Sequence, residues 1–356
     1  MSTTFKKAAL TVSLLLSSST VLADQNHHTT QPENHAPIGV MGDHMHKAGE
    51  FMFSYRLMTM AMSGNLQGDN SISSDQIATT VINRFSAMPM MPATVRVVPQ
   101  KMTTDMHMLG FMYAPTDDIT LIAMVNYLSK EMDLTTYQGM MGTNTLGNFT
   151  TKNSGFGDTK LGLLYRLFDD QTHHIHLNAN WSIPTGSIDE TDTALTPMNM
   201  QMDMRLPYGM QLGTGSNIID LGTTYNGYAD RTNWGAQALY SIALDTNDED
   251  YNVGEKLALT AWYGYRFAPS YSASIRINYI DQADIDGMDA MIMAPVTTAN
   301  PANYGGERLD VALGLNTVIA NKHRVALEYI VPVDNDVNGV QMEMEHMLTV
   351  GYQLAF

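Results

Sequence analysis

The chain ends on Leu348-Thr349-Val350-Gly351-Tyr352-Gln353-Leu354-Ala355-Phe356, the stretch that decides the fold. Apolar or aromatic side chains occupy every second position, from Leu348 to the terminal Phe356. Since successive side chains of a strand point to opposite faces, one face of this stretch is apolar and the other is small or polar. Such a strand suits either the edge of a soluble sheet or the lipid-facing wall of a membrane barrel. The rest of the chain decides between the two.

The same alternation predicts eleven further strands upstream. In the first, about 50–62, Phe51 and Tyr55 share one face, while three methionines at positions 58, 60 and 62 share the other. Same-face neighbours two residues apart exclude a helix, in which they lie three or four apart. The other predicted strands span about 102–113, 119–132, 157–168, 174–183, 218–228, 234–244, 256–267, 271–279, 309–316, 324–331 and 348–356.

Short and long connections alternate between these strands. Tight turns follow the even-numbered strands, and longer or polar connections follow the odd-numbered ones: 63–101, 133–155, 185–217, 245–254, 282–307 and 332–341. Outer-membrane barrels have this pattern because their periplasmic turns are short and their extracellular loops are long. The sequence therefore predicts an all-β fold, a transmembrane antiparallel β-barrel of about 12 strands over residues 50–356 in the bacterial outer membrane.

The final stretch resembles the closing strand of bacterial outer-membrane barrels. In such barrels the last strand pairs with the first and removes the open edge that hydrocarbon does not tolerate. We therefore expect strand 50–62 to be its partner and Phe356 to end the seam. A barrel of this class is expected to contact outer-membrane lipid, lipopolysaccharide and the barrel-assembly machinery.

The amino terminus predicts export. Residues 1–23 have the organisation of a secretory signal peptide, because Lys6 and Lys7 precede a short apolar run that ends in a small-residue cleavage site at Ala23. Residues 24–49 then form a segment containing His and Met, which lies either in the periplasm or as a plug in the barrel. Its position stays open at this point.

Composition excludes several classes of protein. The chain has 36 acidic residues against 19 Lys and Arg, a formal net charge of −17, which argues against a nucleic-acid surface. It has no cysteine, which excludes a disulfide framework, a thiolate metal site and a cysteine nucleophile. The 29 methionines and 11 histidines are the compositional oddity that remains.

Four short strings carry a family resemblance. They are GVMGDHMHK at 39–47, FMFSYR at 51–56, GDTKLG at 157–162 and PTG at 184–186. Together they resemble an outer-membrane transporter-like family named for a meta-cleavage pathway of phenol degradation, over roughly residues 35–356. The resemblance implies a β-barrel that takes up small organic compounds, and it supplies no catalytic residue.

A soft-metal site is one hypothesis for the methionines and histidines. Thioether and imidazole ligands without cysteine suit Cu(I) or Ag(I). The candidate ligands are His44, Met45, His46, Met58, Met60, Met62, Met106 and Met108. The alternative is that methionine acts as a flexible apolar filler in a plug or between loops. We also expect His346 and Met347 on the last strand to lie beside the methionines of the first.

Charged side chains on the predicted lumen face form a second candidate set. They are Arg56, Asp158, Lys160, Arg166, Arg266, Arg276, Arg324 and Glu328. Such charges either form a constriction that selects permeants or pair with one another and brace the wall. Both interpretations stay open.

Three functions follow from these observations. The first is an outer-membrane channel or transporter for small solutes, including hydrophobic or aromatic ones. The second is copper or silver handling by a lumen and loops rich in Met and His, and the third is a plugged structural barrel. Enzymatic activity is not expected, because His107, Asp105 and His346 lack an accompanying nucleophile motif.

Overall fold

The computed structural model describes residues 31–320 and 322–356, so the predicted signal peptide lies outside the described residues. The strands are β1 Phe51–Gly68, β2 Asn70–Ser71, β3 Val97–Thr116, β4 Ile119–Tyr137, β5 Thr145–Phe156, β6 Thr159–Asp169, β7 His173–Ile183, β8 Thr191–Leu195, β9 Gln201–Arg205, β10 Ile218–Ala229, β11 Thr232–Ala243, β12 Tyr251–Asn252, β13 Lys256–Ala268, β14 Tyr271–Gln282, β15 Asp286–Gly287, β16 Gly306–Ile319 and β17 His323–Ala355. Helix α1 is Ser74–Thr80, and four 3-10 turns are Pro32–Asn34, Tyr208–Met210, Thr297–Ala299 and Pro301–Asn303. None of the described helices is long and apolar enough to cross a membrane.

Eleven of the described strands close into one antiparallel barrel. Around the wall the order is β1, β3, β4, β6, β7, β10, β11, β13, β14, β16 and β17, and β17 pairs again with β1. At the end of the seam, the Phe51 N–H donates to the Phe356 carbonyl at 2.8 Å and the Phe356 N–H donates back at 2.9 Å. The predicted barrel, closed by the C-terminal strand against the first, is confirmed.

The last strand, β17, contains two passes across the wall. Residues up to Val337 pair with β16, and residues from Val337 onward pair with β1. Its two halves also meet each other, because the Arg324 side chain donates to Gln353 at 2.7 Å and the rings of Tyr329 and His346 lie 5.5 Å apart. A straight strand of 33 residues would be roughly 110 Å long. The strand therefore folds back on itself, and the barrel has twelve wall segments.

The predicted connection at 332–341 contains the chain reversal, but its expected length is wrong. Both halves of β17 continue through this region, and the reversal falls near Gly339, whose φ is 62°. Pro332 is tolerated within the strand because the register with β16 shifts beside it, where a ladder hydrogen bond is already lost. This tip is a tight turn.

The predicted loop at 133–155 is wrong as well, since it contains β5. This strand pairs with the upper half of β4, from Tyr127 opposite Phe156 to Tyr137 opposite Thr145. The other long connections also carry structure, because α1 lies between β2 and β3 and the β8–β9 hairpin lies between β7 and β10. The wall is therefore tall on this side, where β3 has 20 residues and a membrane crossing needs about 9–11.

The outer face of the wall is apolar, as a lipid-facing surface requires. Its exposed aliphatic side chains include Leu109, Leu121, Leu161, Leu163, Leu177, Leu221, Ile275, Ile277, Leu313, Leu315 and Leu327. Aromatic rings gather at the short-turn end, where Phe51 stacks on Tyr113 with centroids 4.6 Å apart and on Phe356 at 6.0 Å. These rings form one of the two aromatic girdles that flank the apolar band of such barrels.

Two assemblies close the barrel. We call residues 31–49 the plug; they precede β1 and bury Ala36, Ile38 and Val40. We call the apolar cluster at the long-loop end the cap. Its buried members are Phe85, Val97, Met102, Met132, Leu134, Leu206, Tyr208, Met210, Tyr251, Ile285, Ile292, Val296 and Ala299. The candidate site lies between and around these two closures.

Candidate functional site in the barrel interior

The plug lies inside the barrel, because side chains from most of the wall reach its backbone. Its carbonyls accept hydrogen bonds from β7, β10, β11, β14 and β17, through His176, Asn178, Asn226, Asn233, Gln237, Ser272 and Arg324. On the other side, Thr120 of β4 accepts from the His46 N–H at 3.1 Å. A segment touched from all these strands is enclosed by them.

In the sequence these amides are polar residues opposite an apolar face. The alternation shows that they point inward. It does not show that the carbonyls of an extended segment will be their partners. A buried carbonyl needs a donor, and Asn and Gln supply two N–H groups each. Inward amides on adjacent strands were therefore the available signal for an internal segment.

The strongest polar contact between plug and wall is built on Glu328. Arg276 donates to it twice, at 2.7 and 3.0 Å, and the Gly39 N–H of the plug donates at 2.9 Å. Glu328 is fully buried. A side-chain Cβ on Gly39 would lie 2.1 Å from this carboxylate, so the backbone approaches as closely as it does because the residue is glycine.

Other predicted lumen charges also meet the plug. Arg266 lies 3.0 Å from the Glu33 carboxylate, and Arg324 donates to Asn316, Gln353 and the Ala36 carbonyl. Arg56 is buried on the inward face of β1. Five of the eight predicted charges, Arg56, Arg266, Arg276, Arg324 and Glu328, thus lie at the level of the plug.

Of the remaining three predicted charges, Arg166 lines a cavity beside the plug with His44, Met45 and Lys47, and the other two lie elsewhere. Lys160 pairs with Asp220 at 2.6 Å, and Arg166 contacts acidic residues and the Asp117 carbonyl at the short-turn end. Asp158 accepts from the backbone of Gly186 and Thr214, at the base of a long connection. The eight charges therefore do not form a single ring.

Three histidine rings gather in the plug. The centroids of His35 and His44 are 5.3 Å apart, and those of His44 and His46 are 5.0 Å apart. Asp43 joins them, since one ligand atom from each of His35, Asp43 and His44 lies within 4.8 Å of the others. The predicted metal residues His44 and His46 are brought together here.

Burial and neighbouring charged groups together shift the pKa values in this cluster. Burial alone would raise the pKa of Asp43, but the adjacent His44 and the guanidinium of Arg324 outweigh it and hold that pKa below its usual range. Burial lowers the pKa of His46, and a hydrogen bond to Glu50 offsets this only in part. The cluster thus combines a carboxylate with an imidazole that stays neutral at neutral pH.

Met45 and the strand methionines do not join this cluster. Met45 packs against an apolar group of Met52, Met112 and Leu164. Met58 lies six residues beyond Met52 on β1, roughly 20 Å along the strand. Met58, Met60, Met62 and Met106 are separated from the histidines, because the histidines lie in the plug at the short-turn end and these strand positions lie farther up the wall.

The inward methionines form a separate feature, which we call the methionine ladder. Its members are Met58, Met60, Met62, Met106, Met344 and Met347, and it continues upward into Met102 and Met132 of the cap. Register places them opposite one another, as in Met58 with Met106 and Met60 with Met347. Opposed residues have Cβ atoms about 4.5–5.5 Å apart, so the thioethers are close neighbours. Met108 lies on the same face, opposite Arg56.

His346 does not lie on this ladder. It pairs with Ala61 on the outward face of the seam, and its ring stacks on the exposed Tyr329. His107 is also outside, 2.8 Å from the Tyr55 hydroxyl. The two histidines considered for hydrolysis therefore face the exterior of the barrel.

A cavity of about 60 Å³ lies in the cap. Apolar side chains from β4, β5, the β8–β9 hairpin and the segment 294–296 line it, among them Phe149, Leu195 and Val296. A cavity of roughly 150 Å³ holds one benzene molecule. An aromatic solute would therefore enter only if the lining loops moved apart.

Comparisons with known proteins agree with this architecture. A family model described as "Putative MetA-pathway of phenol degradation" matches residues 92–295, more than half of the chain. The COG4313 outer membrane channel from Pseudomonas putida F1 is 14% identical, with a TM-score of 0.58 over 90% of this chain and 100% of that chain. The likeness shows a shared fold.

Two further solved structures are more distant. The toluene transporter TodX of P. putida is 10% identical, with a TM-score of 0.43 over 88% of this chain and 91% of that chain. The translocator domain of the autotransporter NalP from Neisseria meningitidis is 9% identical, with a TM-score of 0.45 over 88% and 91%. None of the curated protein sequences matches this chain.

Proposed function

Because the chain belongs to the family described as putative MetA-pathway of phenol degradation, we propose that it is an outer-membrane channel for small, weakly polar organic solutes, aromatic ones included. The observation that carries this proposal is space in the barrel interior. Met58, Met60 and Met106 point inward, yet each keeps part of its surface exposed. Inward side chains can be exposed only to a space within the barrel, which here lies between plug and cap.

The lining of this space supports weakly polar solutes. Thioethers are polarizable and adaptable, and sulfur contacts with aromatic rings contribute about 0.3–1.5 kcal/mol each. The cap above the ladder is apolar, and its cavity offers a first docking position. Transport through such a path needs no catalytic residue. Transport requires that the cap and the plug each move out of the path, one after the other.

The test is to lock the plug to the wall. A Cβ placed on Gly351 would lie 2.7 Å from Cγ1 of Ile38. The double variant Ile38→Cys/Gly351→Cys would therefore hold its Cβ atoms within roughly 4 Å, the separation that a disulfide needs. The chain has no other cysteine, so this pair forms the one disulfide available. The reduced form of the same variant is the matched control.

In planar bilayers, the reduced variant should conduct ions, and phenol should block the current reversibly at concentrations where glucose does not. Oxidation should abolish the current, and a reductant should restore it. Equal currents in both redox states would show that the plug does not gate the path. Absence of current in wild type and in the reduced variant would overturn the channel proposal.

A second candidate function is the handling of Cu(I) or Ag(I) by the methionine ladder. The observation in its favour is the cross-strand register, which sets thioethers from three neighbouring strands side by side. Soft monovalent cations prefer such ligands. Wild type should then bind several Ag(I) ions, and joint replacement of Met58, Met60, Met62, Met106 and Met108 by Leu should lower the number of Ag(I) ions bound. Unchanged binding in that variant would exclude the ladder as a metal path.

A further inference from the structure

The histidine cluster of the plug encloses a very small cavity. His35, His44 and His46 line it together with Met52 of β1, and its volume is about 10 Å³. This is the space of one water molecule or one ion. The cluster is separate from the methionine ladder and from the solute path, and it makes contact with the wall through Met52.

Each of two histidines is oriented by a carboxylate. The His44 Nδ1 lies 2.9 Å from Asp43 Oδ1, and the His46 Nδ1 lies 3.4 Å from Glu50 Oε2. Among the described residues, the Nε2 atoms of His44 and His46 are buried without a hydrogen-bond partner. A carboxylate beside Nδ1 favours a proton on that nitrogen and leaves the Nε2 lone pair available, as in metal-binding histidines.

The ring spacing fits a shared ion. An imidazole nitrogen bound at about 2.0–2.1 Å places its ring centroid roughly 3 Å from the metal, so two rings at a tetrahedral angle lie roughly 5 Å apart. The measured separations are 5.3 Å for His35 with His44 and 5.0 Å for His44 with His46. Each of the two pairs that include His44 thus has the spacing of two rings on one ion.

The charge of the surrounding side chains and the softness of the ligands decide which ion fits the cavity. Arg324 and Lys322 both line the same cavity, and their positive charges disfavour a divalent ion more than a monovalent one. The thioether of Met52 is the ligand that favours a soft, monovalent ion, since Zn²⁺ takes imidazole, thiolate or carboxylate ligands and not thioethers.

We propose that the plug binds a single Cu(I) ion through His35, His44 and His46, with the thioether of Met52 as the ligand from the barrel wall. Asp43 and Glu50 are positioning residues for His44 and His46. Since three ligands belong to the plug and one to β1, the ion would fasten the plug to the wall. This site is independent of the proposed channel function, because a barrel that conducts nothing can still bind the ion.

The test is a competition titration of the full mature chain in detergent, without oxygen, against a chromogenic Cu(I) chelator. We expect one tight equivalent. His44→Ala and His46→Ala should each weaken binding at least tenfold, and Asp43→Asn should weaken it about 10–100-fold, the range for groups that orient metal ligands. His107→Ala, on the outer surface, is the matched control and should leave affinity unchanged.

A second measurement does not depend on variants. The X-ray absorption spectrum of the wild-type Cu(I) complex should show nitrogen ligands and one sulfur, and Met52→Leu should remove the sulfur. Variants that fail to migrate as folded barrels on unheated gels are replaced by His44→Gln. The five-fold Met→Leu ladder variant should retain the tight equivalent.

Several outcomes would overturn the proposal. One is the absence of a tight equivalent, which would leave a water molecule in the cavity. Others are equal affinity in wild type and in both His→Ala variants, or loss of the equivalent in the ladder variant. Binding of Zn²⁺ at the same residues that Cu(I) fails to displace would overturn the assignment of copper.

Discussion

The plug and the cap close the same barrel by different physical means. The plug is held by charged and amide side chains that reach its backbone, such as Glu328, Asn233 and Gln237. The cap is held by an apolar cluster in which Met210 and Ile292 are completely buried. One closure depends on hydrogen bonds and the other on the exclusion of water.

The difference decides how each closure can open. A hydrogen bond exchanged for one to water costs only about 0.5–1.5 kcal/mol net, so a wet lumen can release the plug in small steps. Burial of one large apolar side chain contributes about 1.5–3 kcal/mol, which an incoming apolar solute can replace and water cannot. The cap thus suits admission of apolar solutes, and the plug suits gating by water, ions or local charge.

The largest expected effect comes from Glu328, where the plug depends on one buried carboxylate. Glu328→Ala leaves Arg276 buried without its partner and removes the acceptor of the Gly39 N–H. Breaking a buried ion pair in this way costs roughly 3–5 kcal/mol. We expect that loss in the free energy of unfolding, measured by denaturant titration in micelles, together with frequent long openings in bilayer recordings.

Glu328→Gln is the control for this change. It keeps an acceptor for Gly39 and removes only the charge, so the loss should be smaller and the openings rarer. If Glu328→Ala were as stable and as closed as wild type, polar anchoring of the plug would be refuted.

The next effect tests the cap. Met210 is completely buried, and Met210→Ala should cost about 3 kcal/mol, within the range of 2–5 kcal/mol for such truncations. Met210→Leu keeps the volume and should cost less than about 1.5 kcal/mol. Hydrogen exchange should show faster opening of the cap segments with the plug amides unchanged. Equal acceleration in plug and cap would show that the two closures are coupled.

Alanine substitutions at two glycines of the plug distinguish the cost of backbone strain from the cost of side-chain crowding. Gly42 has φ 62°, and a Cβ there would lie 3.1 Å from Asn178 Nδ2, whereas Gly49 has φ 88° with open space around it. A left-handed alanine costs about 1–2 kcal/mol. We expect Gly49→Ala to lower the opening free energy of the plug amides by about 1 kcal/mol, and Gly42→Ala by about 2 kcal/mol. Equal effects would mean that Asn178 moves aside freely.

The sequence predicts the wall far better than the closures. The period of two is local, so strands such as β1 and the closing half of β17 can be recognised without knowing their neighbours. The sequence places the β17 reversal within 332–341, but Pro332 and the acidic residues after it suggest a longer connection than the turn near Gly339. The proline is instead accommodated at a shift in register.

The plug and the cap cannot be predicted from the sequence pattern, because their contacts join distant parts of the chain. Tyr208, Ile292 and Phe85 of the cap come from three different connections, and no period links them. In the plug, His44 and His46 lie on one side, since residues two apart in an extended segment share a side. By the same rule Met45 lies on the opposite side. His35 reaches the histidine cluster only because the plug reverses direction between His35 and His44.

The smallest expected effect concerns the methionine ladder, which lies between the two closures. Met58→Leu and Met106→Leu conserve volume, so each should change the free energy of unfolding by less than about 1.5 kcal/mol. If the ladder serves weakly polar solutes, phenol block should persist in both variants, slightly weakened by the loss of sulfur–aromatic contacts. Single-channel recordings at several phenol concentrations measure this. Met58→Ala and Met106→Ala are the contrast, because widening the path should raise conductance. Stable leucine variants in which phenol block vanishes altogether would show that sulfur chemistry, rather than apolar volume, selects the permeant.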